Sequence, residues 1–533
     1  MTSPRTMPSS PHDPPGATGP RVLAVIDVGS TSVRMKIAQV DPHYHMQTLE
    51  TLQQTISLGK DTFTQREIAR ETIEQCAQAL RSFTHVLKEY GIDPAGQLRV
   101  TATTAVREAL NSQAFLDRVY IATGVEVEVL DEAEVSRLTY QAVQPLFQEH
   151  PNWTETQTLI AEVGGGGTEL LVLRGKNIDA ARSFRVGSLR MREMLETYRA
   201  PVVRHQQIMH NQVQRMVSRF RREVELDGPL RLVALGGDAR FAAAHLCAGW
   251  DGRSPVRLRL TELSGLVDEV LALSVDDLAH RYHLPFPDAE TLGPALLTYL
   301  DLARGLEVGH LYVAVNTLRD GLLHEMASQT VWTPEFRQQV IRSTLELGRK
   351  FHFDEAHGAH VAARSKTLFH ALQDEHQLPP RFELLLYVAA LLHEVGLYIS
   401  FRSHHKHSMY LIQNSELFGL GAKDMLLVAM IARYHRRAAP RSNHYGYATL
   451  DRESRIAVSK LAAILRVADA LERSHSQRVR SIEITRRGAD LVITIPQVDD
   501  LSIEQMALRE KGDMFEQIYG LNVVLRVEPP TLT

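Results

Sequence analysis

Apolar and polar positions follow two different periods along this chain, and the period changes with region. Residues 21–40, RVLAVIDVGSTSVRMKIAQV, hold two apolar runs on either side of Gly-Ser-Thr-Ser, the pattern of strand, tight turn, strand. Helical spacing over residues 64–91 stops at Gly91. The stretch LRVTATTAVREAL predicts a strand that passes into a helix near Thr104, VEVEVL a short strand, and DEAEVSRLTYQAVQPLF a helix with an acidic first turn, as the helix dipole prefers. Residues 159–173, LIAEVGGGGTELLVL, then repeat the first pattern: apolar strand, glycine turn, apolar strand. A helix over 202–226 follows, and RLVALGGDARFAA gives another strand, glycine turn and helix. Two halves, about 21–140 and 155–325, thus share a layout without sharing sequence.

From about residue 330 the texture is helical by periodicity, and residues 334–475 carry most of the histidines. After Ser474 strands return in RSIEITRR and ADLVITIP. One amphipathic helix, LSIEQMALREKGDMFEQIYG, and a last strand, LNVVLRVE, complete a βαβ-like tail. The expected division is a disordered tail at 1–20, α/β domains at 21–145 and 146–327, a helical domain at 328–475 and a small α+β domain at 476–533.

Composition narrows the class. Apolar content of 44% and charged content of 23% are those of a globular protein with ample chain for a core. The net charge of -4 names no partner, and neither nucleic acid nor membrane is expected. Two cysteines, Cys76 and Cys247, imply no disulfide framework and suit a reducing, cytoplasmic compartment. The first 20 residues, rich in Pro, Ser, Thr and Gly, lack a signal-peptide core. Basic clusters at 204–223, 401–408 and 432–441 would suit an anionic ligand, or would simply be solvated helix faces.

Three strand–turn sites share one chemistry: Asp27-Val-Gly29-Ser30-Thr31-Ser32, Glu162-Val-Gly164-Gly165-Gly166-Gly167-Thr168-Glu169, and Gly236-Gly237-Asp238. Glycine lets backbone N–H groups face an anion with no Cβ in the way. Carboxylates at strand ends hold a hard divalent cation, and small hydroxyls add donors. The site they predict is a clamp for phosphate.

These motifs resemble those of the exopolyphosphatase and guanosine pentaphosphate phosphohydrolase (Ppx/GppA) family. DVGSTSVRM is similar to its D-I-G-S-N-S-x-R-L, TATTAVREALN to A-T-x-x-x-R-E-A-x-N, and EVGGGGTELLVL to D-I-G-G-G-S-T-E-L. SFRVGSLRMRE resembles S-x-x-x-G-x-V-R-L-x-E, and GGDAR resembles G-G-T-x-R. LHEVGLYIS, HHKHSMYLIQNSELFGL and ARYHRR resemble the helical C-terminal region of long members.

The resemblance implies two actin-like (ribonuclease-H-like) domains of the sugar-kinase and heat-shock-chaperone ATPase superfold. An all-α HD-like domain and a small α+β domain would follow. It implies an exopolyphosphatase, a homodimer that releases terminal phosphate from inorganic polyphosphate with Mg²⁺ or Mn²⁺, with guanosine pentaphosphate 5′-phosphohydrolase as the alternative. Asp27 and Glu162 match the metal-linked acids, Arg107 a phosphate-contacting arginine, and Glu169 the acid that closes the glycine motif. Gly29, Ser30, Thr31, Ser32, Gly164, Gly165, Gly166, Thr168, Gly236 and Gly237 would hold phosphate.

Departures cluster at that site. Gly167 replaces a serine, Asp238 a threonine and Glu162 an aspartate. In DEAEVSRLTY, Val135 stands where the family carries its usual catalytic glutamate. Either Glu134 or Glu169 positions the water instead, or the domains form a weakened enzyme or a sensor of polyphosphate or guanosine tetraphosphate.

His357, His393, Glu394 and Asp469 resemble the His, His-Asp, Asp metal site of HD proteins, with Glu for the paired Asp. That would be a second metal site, and it offers a place for the chemistry itself. The alternative is a purely structural helical module. His404, His405, His407 and His435 are further candidate ligands, and Lys406, Arg433, Arg436 and Arg437 form a candidate polyphosphate track.

Overall fold

The computed structural model describes residues 20–42, 45–328, 333–496, 498 and 500–528. The expected tail lies, apart from Pro20, outside the described residues. The chain forms two compact units: Met1–Leu130 with Leu138–Val331, and Asp131–Arg137 with Trp332–Thr533.

The first unit contains two sheets built on one plan. Strands β1 (Arg21–Val28), β2 (Ser32–Val40), β3 (Met46–Thr55), β4 (Leu98–Ala102) and β5 (Glu128–Val129) lie in the order β3-β2-β1-β4-β5. β1 runs antiparallel to β2 and parallel to β4. The second sheet has β6 (Gln157–Val163), β7 (Thr168–Arg174), β8 (Asn177–Phe184), β9 (Leu230–Leu235), β10 (Val256–Arg259) and β11 (His310–Val313). Its order is β10-β11-β9-β6-β7-β8. Substituting β6, β7, β8, β9 and β11 for β1 to β5 reproduces the first sheet, with β10 added as an antiparallel edge. The layout shared by the two halves of the sequence is therefore a shared topology.

Each sheet has its own core. Ile26, Met35, Val100 and Phe115 anchor one, and Leu159, Val172, Phe220, Leu232 and Leu300 the other. Burying each such side chain contributes roughly 1.5–3 kcal/mol. Several boundaries differ from the pattern reading. The helix expected over 64–91 is two, Leu58–Gln65 and Arg70–Glu89, because Arg66 turns left-handed (φ 65°) between them. The strand read in VEVEVL shrinks to Glu128–Val129. On the basic helix His205–Glu223, Arg219 pairs with Glu223 and Arg221 with Glu307.

In the second unit, helices Glu355–Ala371, Arg381–Leu392, His404–Gln413, Ala422–Arg433 and Arg452–Leu471 surround one core. β12 (Glu483–Arg487), β13 (Asp490–Pro496) and β14 (Asn522–Glu528) form a sheet in that order, with β13 parallel to β14. The single amphipathic helix expected before the last strand is broken at Gly512 into Ser502–Lys511 and Asp513–Tyr519. Leu491, Ile493 and Phe515 belong to the same core as Leu384, Val428 and Leu465, so strands and helices are packed as one body.

One helix, Glu132–Glu149, has its first turns in the second unit and its remainder in the first. Its start is a capping box: Glu134 N donates to Asp131 Oδ1 and Asp131 N to Glu134 Oε2, each at 2.9 Å. Asp131 Oδ2 also accepts from Ala422 N at 3.0 Å.

Candidate functional site

In the first unit, β1 and β6 are the equivalent inner strands of the two sheets, and each ends in an acid followed by a glycine turn. Gly29 N donates to Ser32 O at 3.0 Å, and Gly164 N to Gly167 O at 2.9 Å, so the turns close alike. They face one another: a Cβ on Gly165 would lie 3.1 Å from Ser30 Cβ. The sequence-predicted pairing of these two turns is therefore present.

What approaches the glycines is first of all protein. A Cβ on Gly166 would meet Thr104 Cγ2 at 2.6 Å and Phe63 at 2.8 Å, and one on Gly167 would meet Phe184 O at 2.8 Å. Helix Ser188–Thr197 starts against the same run, with Ser188 N donating to Gly164 O (3.0 Å) and Arg190 N to Gly165 O (2.9 Å). Arg190 also donates from Nε to Gly166 O (2.8 Å), stacks over Phe63 and pairs with Glu108. So the two halves close directly on the glycine run.

The expected hydroxyl donors fare unequally. Thr168 is buried and its Oγ1 donates to Val186 O, which removes it from the phosphate-binding set. Ser30 and Ser32 are buried, and Thr31 stays partly open. Gly236 holds φ at 102°, a left-handed conformation that favours glycine, and Gly237 opens helix Gly237–Leu246. The amides at that end suit an anion.

The charged groups gather around the strand ends. Glu162 faces Glu169 directly across β6 and β7, so both point to one face of the sheet. Ser183 Oγ donates to Glu169 Oε1 at 2.7 Å. Asp27 faces Arg34 across β1 and β2, and Arg319 Nη1 donates to Asp27 Oδ2 at 3.2 Å. Asp27 Oδ1 is buried without a hydrogen-bond partner.

Burial and the charge of Asp27 push the Glu162 carboxyl up, against the pull of Arg240, Arg319 and Arg34. Burial and Asp288 push Asp238 up to about 7, with Arg34 and Arg240 opposing. The Arg240 guanidinium is pulled down by burial and by its like-charged neighbours Arg319 and Arg34. Three guanidiniums thus share a small region with Asp27, Glu162 and Asp238. Sequence reasoning quoted Arg34 and Arg240 inside motifs without using them, and missed Arg319.

It also missed Tyr299. This buried phenol accepts from Val163 N at 2.9 Å and donates to Leu235 O, tying the ends of β6 and β9 together. A lone Tyr in an apolar helix carries no local signal of that role.

Two proposed groups have structural duties. Arg107 donates to Leu130 O (2.7 Å) and Thr104 Oγ1 (3.4 Å). Glu134 spends Oε2 on its own helix cap, and Val135 follows it in the helix.

In the second unit, His357, His393, Glu394 and Asp469 come together. His357 Nε2 lies 3.7 Å from Glu394 Oε2 and 3.9 Å from Asp469 Oδ1, and His393 Nε2 is 3.8 Å from the same Asp469 oxygen. Both nitrogens of His357, Nε2 of His393 and Oε2 of Glu394 are buried with no hydrogen-bond partner. Burial and His393 push His357 down to about 4, so its imidazole is neutral at ordinary pH. His475, which the sequence did not single out, stacks on His357 at 3.8 Å. Of the expected basic track, Arg433 is held by Tyr445 O (3.1 Å) and Arg436 sits 3.5 Å from the His404 ring. Lys406 and Arg437 are exposed.

Among the described residues, no helix is long and apolar enough to cross a membrane. Comparison with known proteins agrees with this architecture. Residues 36–330 match the Ppx/GppA phosphatase family, and residues 340–510 match Ppx/GppA phosphatase, domain III. A guanosine-5'-triphosphate,3'-diphosphate pyrophosphatase of Photobacterium profundum is 24% identical over 486 residues, 89% of this chain and 92% of that protein. The protein of the same description from Vibrio vulnificus is 26% identical over 78% of this chain and 80% of its own. The crystal structure of an exopolyphosphatase from Cytophaga hutchinsonii shares the fold with a TM-score of 0.50 at 20% identity, covering 58% of this chain and 99% of that one. With its glycine turns, its paired sheets and more than half its length matched, the chain belongs to the Ppx/GppA phosphatase family.

Proposed function

We propose that the cleft of the first unit hydrolyses the terminal phosphoanhydride bond of guanosine pentaphosphate. The observation that carries this is the convergence of two glycine turns with Arg34, Arg240 and Arg319 on the acids Asp27, Glu162 and Asp238. Guanidiniums fixed in a poorly solvated site stabilise charge that develops on a transferred phosphoryl group without reorganising. The relatives that span most of this chain favour the guanosine nucleotide. Inorganic polyphosphate is the second reading, supported by the exposed bases Lys406 and Arg437 of the second unit.

The donor set fits a divalent ion. Asp27 Oδ1 is buried and unpartnered, and burial together with the charge of Asp27 disfavours Glu162 as an anion unless a cation joins them. Asp27 and Glu162 would hold the ion, which supplies positive charge beside the phosphate oxygens. The chain's own groups do the rest. Glu169, oriented by Ser183, accepts a proton from the attacking water at its carboxylate. The water oxygen bonds to phosphorus, the anhydride P–O bond breaks, and its electron pair leaves with the shortened chain. Amides of the Gly29 and Gly237 turns position the phosphoryl oxygens. With Val135 in place of the family's glutamate, Glu169 carries the role alone.

Phosphate release from guanosine pentaphosphate and from long-chain polyphosphate, in wild type and Glu169→Ala, tests the assignment. Release that persists in Glu169→Ala would remove this residue from the mechanism, and no release from either substrate would leave a binding protein.

A further inference from the structure

The formal charge of the whole chain is -4, yet it is unevenly spread. Residues 395–415 and 425–450 contain no Asp or Glu, and they carry Arg402, Lys406, Arg433, Arg436, Arg437 and Arg441. The fold brings these two segments together, since helices His404–Gln413 and Ala422–Arg433 pack on one another. The charges of Lys406, Arg436 and Arg437 reach His405, and those of Lys406, Arg433 and Arg441 reach His444, so Lys406 belongs to both groups. Arg402, Lys406, Arg437 and Arg441 are exposed.

The same segments hold apolar groups that the fold leaves outside. Leu397, Tyr398, Ile399 and Phe401 lie just before helix His404–Gln413, Tyr410 is on it, and Tyr445 follows helix Ala422–Arg433. All six are exposed, Phe401 at 80% and Tyr445 at 73%. Single exposed apolar residues are ordinary, but four within five positions, rimmed by cations, mark a contact surface. This connection is firmly mounted. Gly396 N donates to Ser408 Oγ at 2.9 Å, and a Cβ on Gly396 would run into His404 O, so backbone meets backbone there. Tyr398 packs on the rings of Phe351 (5.5 Å) and His352 (5.8 Å). Arg433 Nη1 lies 3.1 Å from Tyr445 O and 3.2 Å from Met409 Sδ, which holds the Tyr445 loop against the helix that carries Tyr410.

The occupant of such a face must supply both negative charge and an apolar phase. A second copy of the chain, seated by a twofold axis, would set these cations against themselves. Polyphosphate would engage Lys406 and Arg437 but offers nothing to Phe401. Single-stranded nucleic acid would stack on the aromatic rings, yet Leu397 and Ile399 have no flat face for a base. An anionic lipid bilayer uses every group. Aliphatic and aromatic side chains enter the acyl boundary, tyrosine hydroxyls stay at headgroup level, and the cations meet the lipid charge.

We propose that this face of the second unit docks on an anionic lipid bilayer, with Ile399 and Phe401 in the acyl boundary and Arg402, Lys406, Arg437 and Arg441 on the headgroups. The contact is at the surface and reversible, since one short connection buries little apolar area. The expectation of no membrane partner rested on net charge, which averages this face away. The docking does not depend on the cleft reading.

The test is flotation of the full chain with vesicles of phosphatidylcholine, alone or mixed with phosphatidylserine. Wild type should float with the mixed vesicles only, and less as salt rises. Lys406→Ala and Arg437→Ala should each weaken binding about fivefold, and Phe401→Ser roughly tenfold or more. Ile121→Ser, which changes a comparably exposed residue of the first unit, should float as wild type does. Phe401→Trp should gain a blue-shifted emission on mixed vesicles that wild type lacks, a readout of insertion in a chain that keeps its fold. Wild type that stays in solution overturns the docking. So does Phe401→Ser floating as well as wild type, which would leave attraction of charge alone. Retention of oligouridylate, or a doubling of mass with concentration, in place of vesicle binding and lost in Phe401→Ser, overturns it in favour of nucleic acid or of a second copy.

Discussion

The cleft of the first unit and the histidine cluster of the second both gather acids, yet those acids keep different company. In the cleft, Asp27, Glu162 and Asp238 already share their space with Arg34, Arg240 and Arg319, permanent cations that leave room for an anion. In the cluster, His393 and His435 set Nδ1 against backbone carbonyls, both nitrogens of His357 lack a hydrogen-bond partner, and Lys511 sits on the far oxygen of Asp469. That arrangement wants a cation. The lesson is that a count of acids does not identify a site; the partner already present does.

The largest expected effect separates the two directly. Arg319→Ala or Glu162→Gln should lower phosphate release from guanosine pentaphosphate by roughly 10²–10⁴-fold. If His357→Ala abolishes release as fully, the comparison fails and the chemistry belongs to the cluster.

A second contrast lies between the two glutamates that could replace the missing base. Glu169→Ala should cost turnover with little loss of stability. Glu134→Ala should instead cost about 0.5–2 kcal/mol of stability through its helix cap, read by urea unfolding. Tyr299→Phe, which loses the bond to Leu235 O, should destabilise by about 1–3 kcal/mol and loosen the two turns, seen as a raised KM.

The smallest effect is a pH profile. Asp238 is an acid raised to about 7 in the folded protein, so its contribution to stability is complete below its unfolded value and is lost as pH rises through about 7. Ionisation there also adds negative charge to the cleft. Inhibition by inorganic phosphate should weaken across that range in wild type and stay flatter in Asp238→Asn.

How much of this was legible in the sequence follows from range. The twofold layout, the facing turns and the quartet His357, His393, Glu394 and Asp469 could be read, because each rests on a local pattern or a motif. Strands β3 and β8 went unread: β3 is largely exposed, and β8 mixes small, acidic and basic residues, so neither alternates cleanly. Thr168 was assigned to phosphate because its hydroxyl sits in the motif, but Val186 O claims it through a fold contact no spacing reveals. Arg319 reaches Asp27 across 292 residues, and Tyr299 reaches Val163 across 136, separations at which one sequence carries no pairing signal.

The helix Glu132–Glu149 bears on any attempt to cut this protein in two. Its first turns belong with residues beyond 332, and Asp131 caps both its own helix and the start of Ala422–Arg433. A polypeptide stopped near residue 331 would strip the cover from those turns, and one begun there would lose a segment of its own body. Expressing the halves separately should therefore yield less soluble material than expressing them together, although the chain crosses between them only once after residue 300.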